Sequence, residues 1–271
     1  MSRILLCNDD GYQALGIRTL ARVLQAAGHD VVTVAPHEER SGQSHAMSFF
    51  TPVHVRRIDS ATWAVKGTPA DCAAIALLDL LKENPPDLVI SGINHGYNLG
   101  WDVHYSGTVG AATEASFLGR PAIAVSMNCM STSEADNEKG FEVVAKMVAR
   151  IADAAKEMLR NSPNGWPDKC VLNINHPGTA DAPLEIAHCR GDSIYLAGIQ
   201  KFRIETADPK RENAIYILGG NSFRDQASVP NSGDDVSLAF EGKATMTLLS
   251  FRQAHHASED ILRELWRKIS L

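Results

Sequence analysis

The sequence has few cysteines, and their spacing does not suggest a shared site. Five cysteines occur in 271 residues, with no CxxC pair and no histidine at zinc-finger spacing. A structural zinc site or a disulfide framework would need such spacings. We therefore predict reduced thiols, in a chain long enough to bury a sizeable core without disulfides.

Long apolar runs and clustered basic residues are also missing. No stretch reaches the roughly 18 apolar residues that a membrane span requires, and the apolar run in MSRILLCNDDG soon ends in two carboxylates. We expect neither a signal peptide nor a membrane partner, and hence a cytoplasmic protein. The net charge of −6 argues against a nucleic-acid polymer as partner but is compatible with a small anionic ligand.

The composition is that of an ordinary globular protein, with 44% hydrophobic and 21% charged residues. Apolar runs of strand length alternate with helical patterns, which is typical of βαβ units in an α/β fold with a mainly parallel sheet. Strands are predicted at residues 3–7, 30–35, 53–58, 62–65, 87–91, 122–126 and 170–173, the last closing the sheet. Helices are predicted at residues 17–27, 73–81, 109–118 and 140–159.

The pattern changes after Pro177. Between residues 183 and 249, single strands alternate with turn sequences such as GGNS and NSGDD, which predicts β-hairpins, and residues 259–269 have a helical pattern. We place a boundary near residue 177 and keep one continuous domain as the alternative.

Two adjacent carboxylates, Asp9 and Asp10, follow the first predicted strand. The carboxyl ends of strands are where open α/β sheets bind ligands. Neighbouring carboxylates repel each other, and a divalent cation such as Mg²⁺ or Mn²⁺ relieves that repulsion. A structural alternative remains open, in which Asp10 and Gly11 form a turn and Asp9 caps the next helix.

The segment from Ser91 to Gly100 follows another strand and should lie at the same edge of the sheet. Its glycines allow close approach to an anion, and Asn94 and Asn98 offer neutral donors or carbonyl ligands. The sequence YSGT then leads directly into a helix, which predicts a phosphate site at a helix N-terminus. The alternative is an irregular loop in which Ser106 or Thr108 caps that helix.

Weaker candidates surround these loops. The RSGQS loop offers a hydroxyl and a guanidinium after the second strand, and GTPADC predicts a helix capped by Thr68 with Pro69 at its first position. The functional alternative for GTPADC is a wall of the substrate pocket. We rank the loop histidines His45, His95 and His104 second, because a loop histidine is more often solvated than catalytic.

Four motifs together resemble the SurE (survival protein E) family of 5'/3'-nucleotidases: NDDG, VAPHEERSGQS, GTPADC and SGINHGYNLGWDVHYSGTVGAATEA. They span residues 1–126 in matching order, and GDDVSLAFEGKATMTLLSF is similar to the family's closing strand region. The resemblance implies a Rossmann-like catalytic domain at residues 1–177. It also implies that a hairpin and helix extension at 178–271 exchanges elements in a homodimer or homotetramer.

The resemblance also implies roles for individual residues. Four match the family's ligands for one divalent metal ion per subunit, namely Asp9, Asp10, Ser41 and Asn94. Four match its phosphate-contacting loop, namely Asn98, Ser106, Gly107 and Thr108. Cys7 stands where serine is common, and His45-Ala46-Met47-Ser48 departs from the usual stretch, which leaves substrate preference open.

We therefore predict a metal-dependent phosphomonoesterase with Asp9 and Asp10 as catalytic residues. Its predicted substrates are nucleoside 5'-monophosphates, and hydrolysis of 3'-monophosphates is left open. A non-catalytic nucleotide or phosphosugar binding module is the alternative, because it would use the same phosphate loop without turnover. A dinucleotide-dependent oxidoreductase is disfavoured, because the first strand leads into NDDGYQALG and not into GxGxxG.

Overall fold

The computed structural model describes residues 1–129, 133–161, 165–189, 199–204, 213–218 and 233–251. The strands are β1 (Arg3–Cys7), β2 (Asp30–Pro36), β3 (His54–Arg57), β4 (Thr62–Lys66), β5 (Leu88–His95), β6 (Ala122–Met127), β7 (Cys170–His176), β8 (Leu184–Ile186), β9 (Ile199–Ile204), β10 (Asn213–Leu218) and β11 (Ala244–Ser250). The helices are α1 (Leu15–Ala26), α2 (Pro69–Ile75), α3 (Gly107–Phe117), α4 (Glu134–Asn161) and α5 (Asp235–Phe240).

Nine strands form one sheet in the order β3-β4-β2-β1-β5-β6-β7-β11-β8. The six strands from β4 to β7 in that order are parallel, while β3 pairs antiparallel with β4, and β11 pairs antiparallel with β7. This is the predicted Rossmann-like arrangement of a mainly parallel sheet between helices. Among the ranges given above, no helix is long and apolar enough to cross a membrane.

Each face of the sheet is covered by helices that bury an apolar stripe. On one face, Ile17, Leu20 and Leu24 of α1 pack in a core with Val144 and Val148 of α4. The other face packs on α2 and α3, whose side chains there are mostly small. The helix predicted at residues 17–27 is thus present as Leu15–Ala26, and Ile17, Leu20 and Leu24 have the helical spacing of a buried face.

The predicted capped start of α2 is confirmed. Thr68 accepts a hydrogen bond from the Asp71 N–H, the Asp71 carboxylate accepts one from the Thr68 N–H, and Pro69 occupies the first turn. The α-helix ends at Ile75, and the predicted body continues to Leu80 as a π-helical segment (Ala76–Leu80).

The prediction that residues 170–173 close the sheet is wrong. β11 lies beside β7, with Thr245 opposite Asn175 and Ser250 opposite Cys170, and β8 lies beyond it. No local pattern reveals such a pairing, because β11 is far from β7 in the sequence. The boundary near residue 177 stays a prediction.

The segment from 183 to 249 is only partly made of hairpins. β9 and β10 do form an antiparallel pair, as predicted. The short helix α5, which begins after its cap Asp234, was not predicted, because six residues are too few to show a helical period. The predicted helix at 259–269 and the GGNS turn lie outside the described residues.

Candidate active site

Asp9 is buried directly beyond β1, with 3% of its surface exposed. Its carbonyl oxygen accepts a hydrogen bond of 2.7 Å from the Arg40 N–H, which fixes the loop after β2 against it. Gly11 completes the turn at φ +98°, and an added Cβ would lie 3.3 Å from the Glu38 backbone. The chain therefore turns sharply between the two carboxylates and α1.

Asp9 does not cap the following helix, because the cap residue of α1 is Ala14 and no side chain caps it. The structural alternative for this carboxylate is therefore wrong. Asp9 instead faces the start of α3, where the Thr108 hydroxyl donates a hydrogen bond to it. The N–H groups of Gly107 and Thr108 also donate to it.

The surroundings of Asp9 have opposing electrostatic effects. Burial raises the pKa of Asp9, while the hydrogen bonds from Thr108 and Gly107 lower it and offset part of that shift. Gly107 is needed for this close approach, because an added Cβ would lie 2.9 Å from the Asp9 Cβ and 2.9 Å from the Pro69 Cγ. The positive end of the α3 dipole thus meets a buried carboxylate.

Asp10 lies between Asp9 and the end of β5. Its Oδ2 accepts a hydrogen bond of 3.2 Å from the His95 N–H. Burial, followed by the charge of Asp9, raises the pKa of Asp10 to about 7. A cation bound between the two carboxylates would favour their ionised forms and reverse this shift.

Asn94 brings a third oxygen to the same place. Its Nδ2 donates to the Gly96 carbonyl at 2.9 Å, and its Oδ1 lies 3.3 Å from the Thr108 hydroxyl. Asp9 and Asn94 therefore share Thr108 as a neighbour. Within the described ranges no three His, Cys, Asp or Glu side chains form a group that could hold a metal, so a cation here needs amide or hydroxyl oxygens as well as the two carboxylates.

Ser41 is exposed, and its hydroxyl donates to the Glu39 carboxylate at 2.9 Å. The hydrogen bond that joins this loop to Asp9 comes from its neighbour Arg40. Ser41 is thus near the site in sequence, but its described hydrogen bond points to Glu39. Its role as a ligand stays a prediction.

Ser106 caps α3, because its hydroxyl accepts a hydrogen bond of 3.1 Å from the Val109 N–H. The capping alternative is therefore confirmed for Ser106, and capping does not exclude a phosphate site at the same turn. Ser106, Gly107 and Thr108 form the first turn of the helix whose N-terminus faces Asp9.

Asn98 is buried, and its described hydrogen bonds join it to a network of amides and not to the carboxylates. Its Nδ2 donates to the Ser126 hydroxyl at 2.8 Å, and its main chain bonds to Asn173 and Asn175 of β7. Its contact with phosphate stays a prediction. Sequence reasoning missed both β7 asparagines, although amides within an otherwise apolar strand were a usable signal.

The second-ranked histidines also have other partners. The His45 Nε2 lies 2.8 Å from the Glu114 carboxylate, and the His104 carbonyl accepts from the Ser44 hydroxyl at 2.6 Å. His95 contributes its main-chain N–H to Asp10. Of these three histidines, only His95 is connected to the carboxylates by a described hydrogen bond, and that bond comes from its backbone.

Comparison with known proteins gives consistent matches. The family model described as "Survival protein SurE" matches residues 4–195. A relative named 5'-nucleotidase SurE, from Stenotrophomonas maltophilia, is 47% identical over 90% of this chain and 88% of its own. Another of that name, from Parvibaculum lavamentivorans, is 34% identical over 97% of this chain and 90% of its own.

A solved structure agrees with the fold. The crystal structure of the SurE protein from Aquifex aeolicus is 32% identical in sequence and superimposes with a TM-score of 0.77. The match covers 97% of this chain and 99% of that one.

Proposed function

The chain belongs to the survival protein SurE family, and we infer from this membership that it is a 5'-nucleotidase, which hydrolyses nucleoside 5'-monophosphates to nucleoside and phosphate. The observation that carries this inference is the adjacent pair Asp9 and Asp10, of which Asp9 is buried against the N-terminus of α3. A module that only bound phosphate would not need two carboxylates beside an anion site, since they repel phosphate unless a cation neutralises them. The binding module is therefore not favoured.

We propose that the site holds one divalent metal ion per subunit, Mg²⁺ or Mn²⁺. The proposed ligands are the four oxygen-bearing side chains Asp9, Asp10, Ser41 and Asn94. Hard divalent cations prefer such oxygens, and a cation bound between Asp9 and Asp10 would offset the burial that raises the pKa of both carboxylates. When bound, the ion supplies positive charge that polarises a phosphoryl oxygen and makes a water molecule more acidic.

The remaining residues position the phosphate. The N–H groups at the start of α3, with Ser106, Gly107 and Thr108, are proposed to bind its oxygens, and Asn98 adds an amide. Phosphoryl transfer spreads charge over those oxygens in the transition state, so donors fixed in advance lower the barrier. Asp9 and Asp10 are proposed as the catalytic residues that orient the attacking water by accepting its hydrogen bonds.

Several further expectations belong to this proposal. They are hydrolysis of 3'-monophosphates, a homodimer or homotetramer assembled through the extension at residues 178–271, and a cytoplasmic location. Resemblance to the family supports the first two, and the sequence composition is the basis of the third.

The test is phosphate release from a panel of nucleoside 5'- and 3'-monophosphates and an aryl phosphate, with Mn²⁺, with Mg²⁺ and after chelation. We expect release that disappears on chelation and returns with metal. Folded protein that releases no phosphate in any condition would overturn the nucleotidase assignment in favour of the binding module.

Asp9→Asn tests the assignment of the site. The amide keeps the size of the side chain and its capacity to accept from Thr108, so the fold should remain intact while turnover falls close to the background rate. Circular dichroism and phosphate release, measured together, check this. Near-normal metal-dependent rates in the variant would contradict the site.

A further inference from the structure

The strand β7 carries two asparagines where an apolar run is expected. Asn173 and Asn175 are exposed by 0% and 1%, and the strand lies between β6 and β11 inside the sheet. Strands covered on both faces are normally near-continuous runs of apolar residues, as Val171, Leu172 and Ile174 are here. Because side chains alternate along a strand, the two asparagines lie on the same face.

Both asparagines bond to the main chain of Asn98. The Asn98 N–H donates to the Asn175 Oδ1 at 2.7 Å. The Asn98 carbonyl accepts from the Asn173 Nδ2 at 2.9 Å and from the Asn175 Nδ2 at 3.0 Å. Together with the bond from its side chain to Ser126, residue 98 is held by four hydrogen bonds to β6 and β7.

The bonds from Asn173 and Asn175 to the main chain of Asn98, which we call the clamp, have a cost for folding that a pair of apolar residues would avoid. The Asn173 Oδ1 is buried and has no hydrogen-bond partner among the residues that the structure describes. A buried polar atom left unpaired typically costs about 1–3 kcal/mol. A pair of well-packed apolar residues would stabilise the sheet more. We therefore assign the two amides to holding the segment around Asn98.

That segment connects the two halves of the active site. It follows Asn94, a proposed metal ligand near the end of β5 and opposite Ser126 of β6, and it leads after Gly100 towards the start of α3. It is fixed at two further points, where the Gly96 N–H donates to the Met127 carbonyl at 2.8 Å and the Gly100 N–H donates to the Asp235 carboxylate at 3.0 Å. The partners at these two points lie on β6 and α5, and those of residue 98 lie on β6 and β7; none of these elements carries a proposed ligand.

We propose that Asn173 and Asn175 are positioning residues, which hold Asn98 and thereby place Asn94 for the divalent ion. The inference rests on the proposed metal site. The two asparagines do not touch the reacting atoms, and they act only through the main chain of residue 98. Partners that hydrogen-bond directly to a metal ligand typically change metal affinity or activity about 10- to 100-fold when mutated. The two asparagines bond to residue 98, four residues beyond Asn94, so we expect an effect at the lower end of that range.

The experiment measures Mn²⁺ binding to the full chain by calorimetry in Asn173→Ala, Asn175→Ala and the double variant. Asn173→Ala removes one of the three bonds to the residue-98 main chain, Asn175→Ala removes two, and the double variant removes all three. The Kd for Mn²⁺ should rise in that order, by about 10-fold for Asn175→Ala. The kcat and KM for a nucleoside 5'-monophosphate are measured alongside at saturating Mn²⁺.

Ser116→Ala is the matched control. Its hydroxyl donates to the Thr113 carbonyl at 2.8 Å, so the variant also loses a buried hydrogen bond, but at the far end of α3. Its Kd for Mn²⁺ should equal that of the wild type. If Asn175→Ala does not fold, the milder Asn173→Ala still decides the question.

Two results would overturn the inference. One is a Kd for Mn²⁺ that is unchanged in folded Asn173→Ala and Asn175→Ala, which would make the asparagines purely structural. The other is a wild-type protein that does not bind Mn²⁺, which would remove the metal site as well. A wild type that binds Mn²⁺ but releases no phosphate contradicts the proposed function alone, because the order of Kd values still tests the clamp.

Discussion

Gly107 allows the start of α3 to approach Asp9 because it has no side chain. At its position an added Cβ would lie 2.9 Å from both the Asp9 Cβ and the Pro69 Cγ. Such distances do not occur between packed carbon atoms, and neither neighbour is the end of a flexible side chain. The glycine is therefore a steric requirement for placing the N–H groups of α3 against Asp9.

Gly107→Ala should displace the first turn of α3 from Asp9. We expect a fall in kcat/KM of about 10-fold or more, since a 1 Å shift of a positioning element can have effects up to about 100-fold. The control is Gly119→Ala, where φ is +77° and no atom lies within 4 Å of the added Cβ, so stability falls without a steric contact. An active Gly107→Ala variant would show that the turn can adjust.

His176, at the end of β7, shows how burial alone changes a titration. Burial lowers the pKa of His176 to about 4, and its Nδ1 accepts a hydrogen bond of 3.0 Å from the Gly178 N–H. The unfolded chain takes up this proton near pH 6.5 and the folded chain only near pH 4. The unfolded state therefore binds more protons between these values, and stability falls as the pH is lowered through that window.

His176→Asn should remove this dependence, because the amide oxygen can accept from Gly178 and does not titrate. Between pH 7 and pH 5 the wild type should lose about 1–2 kcal/mol more in free energy of unfolding than the variant. Urea unfolding at several pH values measures the difference. Parallel losses in the two proteins would mean that His176 has the same pKa in the folded chain as in the unfolded chain.

At the scale of elements, α2 depends on one carboxylate for three links. The buried Asp71 accepts from the Thr68 N–H at 2.8 Å, from the Ser48 N–H at 2.9 Å and from the Ser48 hydroxyl at 2.7 Å. It therefore closes the cap of the helix and ties the loop after β2 to it. The sequence predicted the cap but not the tie to Ser48.

Asp71→Ala should leave three donors without their acceptor and lower the free energy of unfolding by about 2–3 kcal/mol. Thr68→Ser is the control, because it keeps a hydroxyl at the cap and should change stability little. Urea denaturation of both variants measures the effect. An Asp71→Ala variant as stable as Thr68→Ser would mean that solvent replaces these bonds at no cost.

Whether an element could be predicted from the sequence depends on how far apart in the chain its interacting residues are. Strands β1, β2, β5 and β6 and the cap of α2 depend on neighbouring residues, so local patterns identify them. The pairing of β11 with β7 and the clamp from Asn175 to Asn98 join residues far apart in the chain. Of the predicted site, Asp9, Asp10, Asn94 and Thr108 meet because parallel strands end at one edge, whereas the partners of Asn98 and Ser41 required the structure.

At the scale of the whole molecule, the chain beyond residue 177 takes part in the main sheet and packs against the segment that follows β5. β11 pairs with β7 over six residues. The helix α5 packs Val236 and Ala239 against Tyr97 and Leu99, and its Asp235 bonds to Gly100. The segment that follows Asn94 is thus held partly by residues from the C-terminal part of the chain.

Removal of residues 178–271 should therefore destabilise the main sheet as well as remove the C-terminal part. A chain of residues 1–177 would leave β7 as an exposed edge and uncover apolar residues that now pack under Leu249 and α5. We expect a product that aggregates or lacks a cooperative transition. Size-exclusion chromatography and guanidinium unfolding followed by circular dichroism, with the full chain as control, measure this.

The outcome also decides between the two interpretations of domain organisation. A cooperative transition in the 1–177 product, with Mn²⁺ binding equal to that of the full chain, would establish residues 1–177 as an independent catalytic domain. We expect the other result, because the Gly100–Asp235 bond and the β7–β11 pairing cross the boundary near residue 177. If the product folds but binds Mn²⁺ weakly, the C-terminal part is needed for the metal site and not for the sheet. In that case α5 would affect metal binding by holding the segment that ends at Gly100.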